Sequence, residues 1–130
     1  MSAKREIVRA DGAPAAVGPY SHAVASGGLL FCSGQVPLDP ATGELVHGSL
    51  GEQTTRCLEN LAVVCAAGGT GLAAAVRCAI YVTDILTFAE VNAAYGAYFA
   101  EEPPARTLIG VAALPLGAAV EIDAIVALPA

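Results

Sequence analysis

Apolar and polar positions along this chain alternate with two periods, one typical of strands and one typical of helices. Runs with apolar side chains at every second position indicate strands, and a continuous apolar run indicates a buried strand. The predicted strands lie within residues 7–8, 17–25, 29–36, 76–82, 104–115 and 120–128. Gly27-Gly28 joins the second and third strands as a tight hairpin turn. Gly34, inside the third strand, indicates a β-bulge or a close approach of another group to the backbone.

Two longer segments are typical of amphipathic helices, and each begins with a capping signal. The capping boxes are Ser49–Glu52 and Thr87–Glu90. Gly68-Gly69 ends the first helix, and Pro103-Pro104 prevents the second from continuing. The side chains expected on the buried faces are Cys57, Leu58, Leu61, Val64 and Cys65 in the first helix and Phe88, Val91, Tyr95 and Phe99 in the second.

The order of these elements is strand, strand, strand, helix, strand, helix, strand, strand. This order predicts an α+β fold in which residues 1–130 form one domain, with a mixed six-stranded sheet and two helices packed on one face. Hydrophobic residues make up 55% of the chain and charged residues only 14%. Because no helix is left for the second face of the sheet, we expect that face to meet another copy of the chain.

Charge and hydropathy argue against two classes of partner. The net charge is −6, whereas a protein that neutralises phosphates needs a basic face, so we expect no nucleic acid as main partner. The longest apolar run, residues 108–120, is interrupted by Gly and Pro and is too short to span a bilayer, so no membrane partner is expected. No apolar segment follows residues 1–6, which predicts a protein without an export signal, located in the cytoplasm.

Four cysteines, at positions 32, 57, 65 and 78, are spaced too far apart to form a C-x-x-C pair. Only two histidines are available to join them, so the spacing typical of a zinc site is missing. In a reducing compartment we expect free thiols that pack as small apolar side chains.

Arg106 is the only basic residue after Arg77, and it stands at the start of the apolar stretch Pro104–Pro115. A guanidinium in apolar surroundings must be paired or hydrogen-bonded, because a buried unpaired charge is costly. Two interpretations follow from the residues alone. Arg106 forms an ion pair with Glu121 or Asp123 of its own chain, or it binds an anionic ligand.

Short motifs distributed over nearly the whole chain occur in an order that resembles one known family. They are Gly18-Pro19-Tyr20, Ser33-Gly34-Gln35-Val36-Pro37, Gln53-Thr54, Leu58-Glu59-Asn60-Leu61, Val82-Thr83-Asp84, Phe88-Ala89-Glu90-Val91-Asn92, Pro104-Ala105-Arg106 and Leu114-Pro115 with Glu121-Ile122. Each motif alone is weakly specific, whereas the ordered set is highly specific. The sequence resembles the RidA/YjgF family of reactive intermediate deaminases, also labelled L-PSP endoribonucleases.

The resemblance implies a chorismate-mutase-like homotrimer with three ligand sites in the clefts between subunits. It implies hydrolysis of 2-imino acids such as 2-iminopropanoate, formed from 2-enamino acids, to 2-keto acids and ammonia, without a metal or organic cofactor. Arg106 matches the carboxylate-binding arginine of the family. The matched positions that line the cleft are Tyr20, Ser33, Asn92 and Glu121, and Gly34 and Leu108 are further predicted substrate-binding positions.

These residue types suit the implied chemistry. The planar guanidinium of Arg106 matches a carboxylate with two parallel hydrogen bonds and thereby positions the adjacent imine carbon. Glu121 lies on the polar face of its strand, where it can orient or deprotonate the attacking water, and an apolar cleft should raise its pKa. Tyr20 can wall the pocket and donate a hydrogen bond.

Two features depart from the family pattern. The connection from Phe99 to Arg106 is shorter than is usual in the family, which could open the mouth of the cleft and change which side chains fit. Many deaminases of the family carry Cys two residues after the arginine, and this chain carries Leu108, which leaves only main-chain groups for substrate. A non-catalytic module that binds small carboxylates such as keto acids is therefore an alternative function. A ribonuclease is a further alternative that the acidic charge disfavours. A chorismate mutase is a poorer one, because a dianion would need more cations nearby.

Overall fold

One mixed sheet of six strands organises the chain in the computed structural model, which describes residues 4–130. Residues 1–3, at the start of the segment predicted to lack an export signal, lie outside the described residues. The strands and helices, in chain order, are β1 (Glu6–Val8), β2 (Ala23–Ser26), β3 (Leu29–Gln35), α1 (Leu50–Ala67), β4 (Ala75–Val82), α2 (Phe88–Tyr98), β5 (Ala105–Gly110) and β6 (Val120–Ala127). The predicted order of elements is confirmed.

The strands are arranged in the order β1-β2-β3-β6-β4-β5 across the sheet. Only β4 and β5 pair in parallel, as expected for two strands joined by the intervening helix α2, and every other neighbouring pair is antiparallel. The predicted mixed sheet with two helices is therefore confirmed.

Helix α1 begins and ends as the sequence indicates. The Ser49 side chain accepts a hydrogen bond from the Glu52 amide, and the Glu52 side chain accepts one from the Ser49 backbone, which completes the capping box. At the other end, the amides of Gly69 and Thr70 donate to the carbonyls of Ala66 and Cys65. Gly69 has a φ of +85°, the left-handed conformation that this type of helix end requires.

The second predicted capping box is wrong. Thr87 makes no side-chain cap, and its hydroxyl donates instead to the carbonyl of Asp84. The Glu90 carboxylate accepts a hydrogen bond from the Gly51 amide of α1 at 2.9 Å, so it caps the neighbouring helix. Phe88, predicted to be buried, is 51% exposed; it is the first residue of α2 and directly follows a short 3₁₀ turn, Ile85–Thr87, where helix packing does not yet cover it.

Both helices pack on the same face of the sheet, as predicted, and enclose the main core. Its fully buried members include Leu58, Leu61 and Val64 of α1, Val91 of α2, and Leu30, Ile80, Val82, Val120, Ile122 and Val126 of the sheet. All four cysteines are buried and free, which confirms their predicted packing role. The opposite face carries the exposed side chains of Phe31 and Ile109. Among residues 4–130, no helix has the length and hydropathy needed to cross a bilayer.

Two strand predictions need correction. β2 begins only at Ala23, because the preceding segment is an irregular loop fastened to His22, whose ring bonds the Ala10 amide and the Pro14 carbonyl. β5 was predicted to be buried, yet it lies at the edge of the sheet and is mostly exposed. It pairs with β4 alone, and within one chain only Leu108 packs against the core.

Candidate active site

A cleft of about 330 Å³ opens beside the end of β3, in the volume range of small-molecule sites. Its walls come from the loop before β2, the end of β3 with the segment after it, the turn before β6, and the start of β6. The lining residues are Pro14, Ala15, Val17, Tyr20, Ser33, Gly34, Gln35, Val36, Leu38, Pro115, Leu116 and Glu121. Four predicted site residues, at positions 20, 33, 34 and 121, therefore share one cleft.

Gly34 makes room for the carboxylate of Glu121. The register of β3 against β6 shifts between Cys32 and Gln35, which is the bulge that the glycine indicated. A Cβ atom on Gly34 would lie 2.9 Å from the Glu121 carboxyl carbon and still closer to its Oε2 atom. The carboxylate thus lies directly against the bulged backbone, at a distance that only glycine permits.

Burial raises the pKa of Glu121 above the ordinary value of 4.5, and the negative charge of Asp123 raises it further. Asp123 lies two residues along β6 on the same face and accepts a hydrogen bond from the Tyr81 hydroxyl at 2.8 Å. The direction of the Glu121 shift is the one that the sequence predicted. A carboxyl group with a raised pKa is better suited to exchange protons near neutral pH.

Ser33 and Tyr20 present different hydrogen-bonding groups to the cleft. The Ser33 hydroxyl donates to the Ser21 carbonyl at 2.6 Å, so its oxygen is left to accept a hydrogen bond. The Tyr20 hydroxyl accepts from the Val17 amide at 3.2 Å, which leaves its own proton free to be donated. These two residues therefore add one acceptor and one donor to the carboxylate of Glu121 in the cleft.

Arg106 lies outside this cleft, together with Asn92 and Leu108. Its Nη1 atom donates to the Asn92 Oδ1 atom at 2.7 Å, and its guanidinium lies 5.1 Å from the centroid of the Tyr95 ring. Both partners are neutral and come from α2. Within residues 4–130 no carboxylate is within ion-pair distance of Arg106, so the intrachain ion pair with Glu121 or Asp123 does not form.

Arg106 and Glu121 face opposite sides of the sheet. Arg106 is in register with Cys78, whose side chain belongs to the core beneath the helices. Glu121 alternates with Val120 and Ile122, which point into that core, so its carboxylate lies on the other face. One chain therefore does not bring the cation and the carboxylate together.

The sequence did not single out three residues near these groups. Gln35 and Leu116 line the cleft, and Tyr95 contacts Arg106. Gln35 lies inside the recognised Ser33 motif, whereas Tyr95 was interpreted only as a buried helix residue. Among the described residues, no group of three or more His, Cys, Asp and Glu side chains is arranged to hold a metal ion.

The mixed sheet backed by two helices defines a small α+β protein, and the cleft that holds a carboxylate against a glycine bulge is its candidate ligand site. The family model described as "Endoribonuclease L-PSP" matches residues 10–128. The chain belongs to this family, the RidA/YjgF family.

Individual relatives carry different names. The chain is 51% identical over 123 residues to protein DfrA of Myxococcus xanthus, covering 93% of this chain and 94% of that protein. It is 41% identical over 121 residues to the 2-iminobutanoate/2-iminopropanoate deaminase of Bos taurus, covering 93% and 88%. The crystal structure of the YjgF gene product from E. coli superposes with a TM-score of 0.87 at 36% identity, covering 94% and 98%.

Proposed function

We propose that this protein hydrolyses 2-imino acids, and the 2-enamino acids that tautomerise to them, to 2-keto acids and ammonia. A representative substrate is 2-iminopropanoate. The bovine relative named 2-iminobutanoate/2-iminopropanoate deaminase supports this proposal. The observation that carries it is the state of Arg106, an exposed guanidinium held by neutral groups, with no carboxylate partner among the described residues.

Arg106 binds the substrate carboxylate. Asn92 uses one of the five N–H donors of the guanidinium, which leaves enough donors for a bidentate pair with a carboxylate. Because Asn92 and Tyr95 carry no charge, they orient the guanidinium without neutralising it. Binding through two parallel hydrogen bonds fixes the position of the neighbouring imine carbon.

Glu121 acts on the attacking water. The carboxylate takes a proton from the water as the water oxygen bonds to the imine carbon, and it passes this proton to the imine nitrogen. As the C–N bond then breaks, the carboxylate transfers the proton of the new hydroxyl group to the same nitrogen, which leaves as ammonia while the oxygen becomes the keto group. The products are the 2-keto acid and ammonia, so one water is consumed for each imine. The Ser33 oxygen can accept a hydrogen bond from the imine N–H, and Tyr20 can donate one to the developing oxygen. Gly34 allows Glu121 to approach, and Leu108 contributes main-chain groups beside Arg106.

We further propose that the complete site forms between two subunits of a chorismate-mutase-like homotrimer in the cytoplasm. Arg106 and Glu121 lie on opposite faces of the sheet in one chain, so a second chain must supply one of them. The exposed edge strand β5 and the apolar side chains of Phe31 and Ile109 are suitable contact surfaces.

A coupled assay tests the function. A dehydratase that releases 2-aminoacrylate supplies the substrate, and the decay of the imine is followed with and without the protein. We expect Arg106→Ala to lower kcat/KM by about a hundredfold or more, because both binding and positioning are lost. Arg77→Ala, which removes an exposed cation from the neighbouring strand, is the matched control. Equal rates for wild type and Arg106→Ala would contradict the proposal.

A non-catalytic module for small carboxylates is the second candidate. The presence of Leu108, whose side chain packs against the core, favours it, because no thiol is available at that position. Such a protein would show ligand-dependent melting with keto acids and no imine turnover. Cleavage of RNA that is lost in Arg106→Ala would instead support the ribonuclease of the family label.

A further inference from the structure

A tight turn at the rim of the cleft holds a leucine in an unfavourable backbone conformation. In the turn Leu114–Ala118, the Gly117 amide donates to the Leu114 carbonyl at 3.2 Å and the Ala118 amide to the Pro115 carbonyl at 3.1 Å. Leu116, at its centre, has φ 61° and ψ 14°. The left-handed region crowds the Cβ atom of every residue except glycine, and leucine has no polar group to offset the strain.

The fold of one chain gains little from this leucine. Its side chain is 58% exposed, and neither core cluster includes it. The small cluster under the turn is formed by Val36, Leu38 and Ala118, with Leu45 and Leu114 packed against it. Glycine or asparagine would suit the backbone better, so the leucine side chain indicates a role outside the chain's own packing.

The position of Leu116 in the cleft indicates that role. The polar side chains of the lining are those of Tyr20, Ser33, Gln35 and Glu121. Val17, Val36, Leu38, Pro115 and Leu116 form an apolar part. A 2-imino acid bound with its reacting carbon near Glu121 would extend its own side chain along the apolar part, where burial of each methylene is favourable.

We propose that Leu116 is a specificity-determining residue that contacts the side chain of the bound 2-imino acid. It favours substrates with an aliphatic side chain of three or four carbons over 2-iminopropanoate. This inference rests on the proposed function, because it assigns the substrate class of the same site. An exposed leucine could instead contact a neighbouring subunit. The test below separates a contact with substrate from a contact with a subunit.

The test uses two variants that suit the left-handed backbone, Leu116→Gly and Leu116→Asn, so that folding is preserved. Leu86→Asn is the matched control, because Leu86 is 81% exposed and does not line the cleft. An amino acid oxidase generates the imines of alanine, 2-aminobutyrate, norvaline and leucine in place, and kcat and KM are measured for each. Melting temperature and mass by light scattering are recorded for all variants.

We expect the kcat/KM of wild type to rise with chain length by about fourfold for each added methylene. In both Leu116 variants, kcat/KM for the leucine-derived imine should fall by about tenfold, mainly through KM. The alanine-derived imine should change by less than about twofold. Leu86→Asn should behave as wild type, and the melting temperatures of the Leu116 variants should equal or exceed that of wild type.

Unchanged chain-length preference in both variants would overturn the inference while leaving the proposed function intact. A smaller oligomer with the preference retained would assign Leu116 to a subunit contact and would also overturn it. If wild type turns over no imine, the proposed function fails. The role of Leu116 is then tested by calorimetry, which measures how tightly wild type and the Leu116 variants bind the corresponding 2-keto acids. Binding that loses its chain-length dependence in the variants supports the inference, and absent or unaltered binding contradicts it.

Discussion

At the scale of single residues, the cleft depends on the contact between Gly34 and Glu121. The sequence predicted a close approach at Gly34 and placed Glu121 on the polar face of its strand. It could not predict that these two features are one contact, because the pairing of β3 with β6 joins residues 87 positions apart in the chain. The hydrogen bonds of Ser33 and Tyr20 to nearby loops were equally inaccessible, since irregular loops carry no periodic pattern.

Gly34→Ala should displace the Glu121 carboxylate and leave the fold intact. The added methyl group meets the mobile end of a side chain rather than backbone, so we expect the free energy of unfolding to change by no more than about 1 kcal/mol. Imine hydrolysis should fall by about a hundredfold, the effect of a catalytic group moved by about 1 Å. Gly71→Ala, where the new Cβ has open space, should keep full activity. A fully active Gly34→Ala variant would show that Glu121 does not act from this position.

Glu121→Gln should gain stability over wild type as the pH rises. The difference in stability, variant minus wild type, should be larger at pH 7 than at pH 4. A carboxyl whose folded-state pKa is raised stabilises the fold when protonated, and that stability is lost as pH rises from the unfolded pKa through the folded one. Glutamine does not ionise, so the variant avoids the loss. Melting temperatures of both proteins between pH 4 and pH 8 measure this difference. A constant difference across that range would mean that burial does not perturb Glu121.

At the scale of elements, α2 does more than cover the sheet. Its Asn92 and Tyr95 side chains hold Arg106, and its Glu90 side chain caps α1. The sequence predicted the helix and the burial of Tyr95 but assigned Glu90 to a cap on its own helix. The local spacing from Thr87 to Glu90 fits a capping box, yet the contact with Gly51 comes from helix packing, which a local pattern does not contain.

Tyr95→Leu should raise the KM for 2-iminopropanoate by about threefold to tenfold, because the aromatic ring that attracts the guanidinium is lost. Tyr95→Phe retains the ring and should retain the wild-type KM. It should also fold at least as well, since the Tyr95 hydroxyl is buried beside the Cys78 thiol and makes no hydrogen bond of ordinary geometry. Tyr98→Leu, on the same helix and away from Arg106, is the control. If Tyr95→Phe and Tyr95→Leu raise KM equally, the ring does not position Arg106.

At the scale of the whole molecule, the alternating and helical patterns predicted the sheet, the order of its elements and the face that the helices cover. They failed at β5, where an apolar sequence indicated burial and the strand lies exposed at the edge of the sheet. A composition that is 55% hydrophobic does not separate apolar side chains buried within one chain from those left on its surface. Arg106 and Glu121 likewise lie on opposite faces of the sheet of one chain, which fits the proposal that the complete site forms between two chains.

Subunit complementation tests most directly whether Arg106 of one chain meets Glu121 of another. Arg106→Ala and Glu121→Gln chains carrying different tags are co-expressed, and mixed oligomers are isolated by both tags in turn. Each oligomer made of one variant alone should be inactive. Every mixed trimer should contain one intact site and recover about a third of wild-type activity, because one of its three interfaces joins the two unaltered residues. Mixed trimers of the correct mass that remain as inactive as the parent variants would place both residues of each site in one chain and contradict the shared cleft.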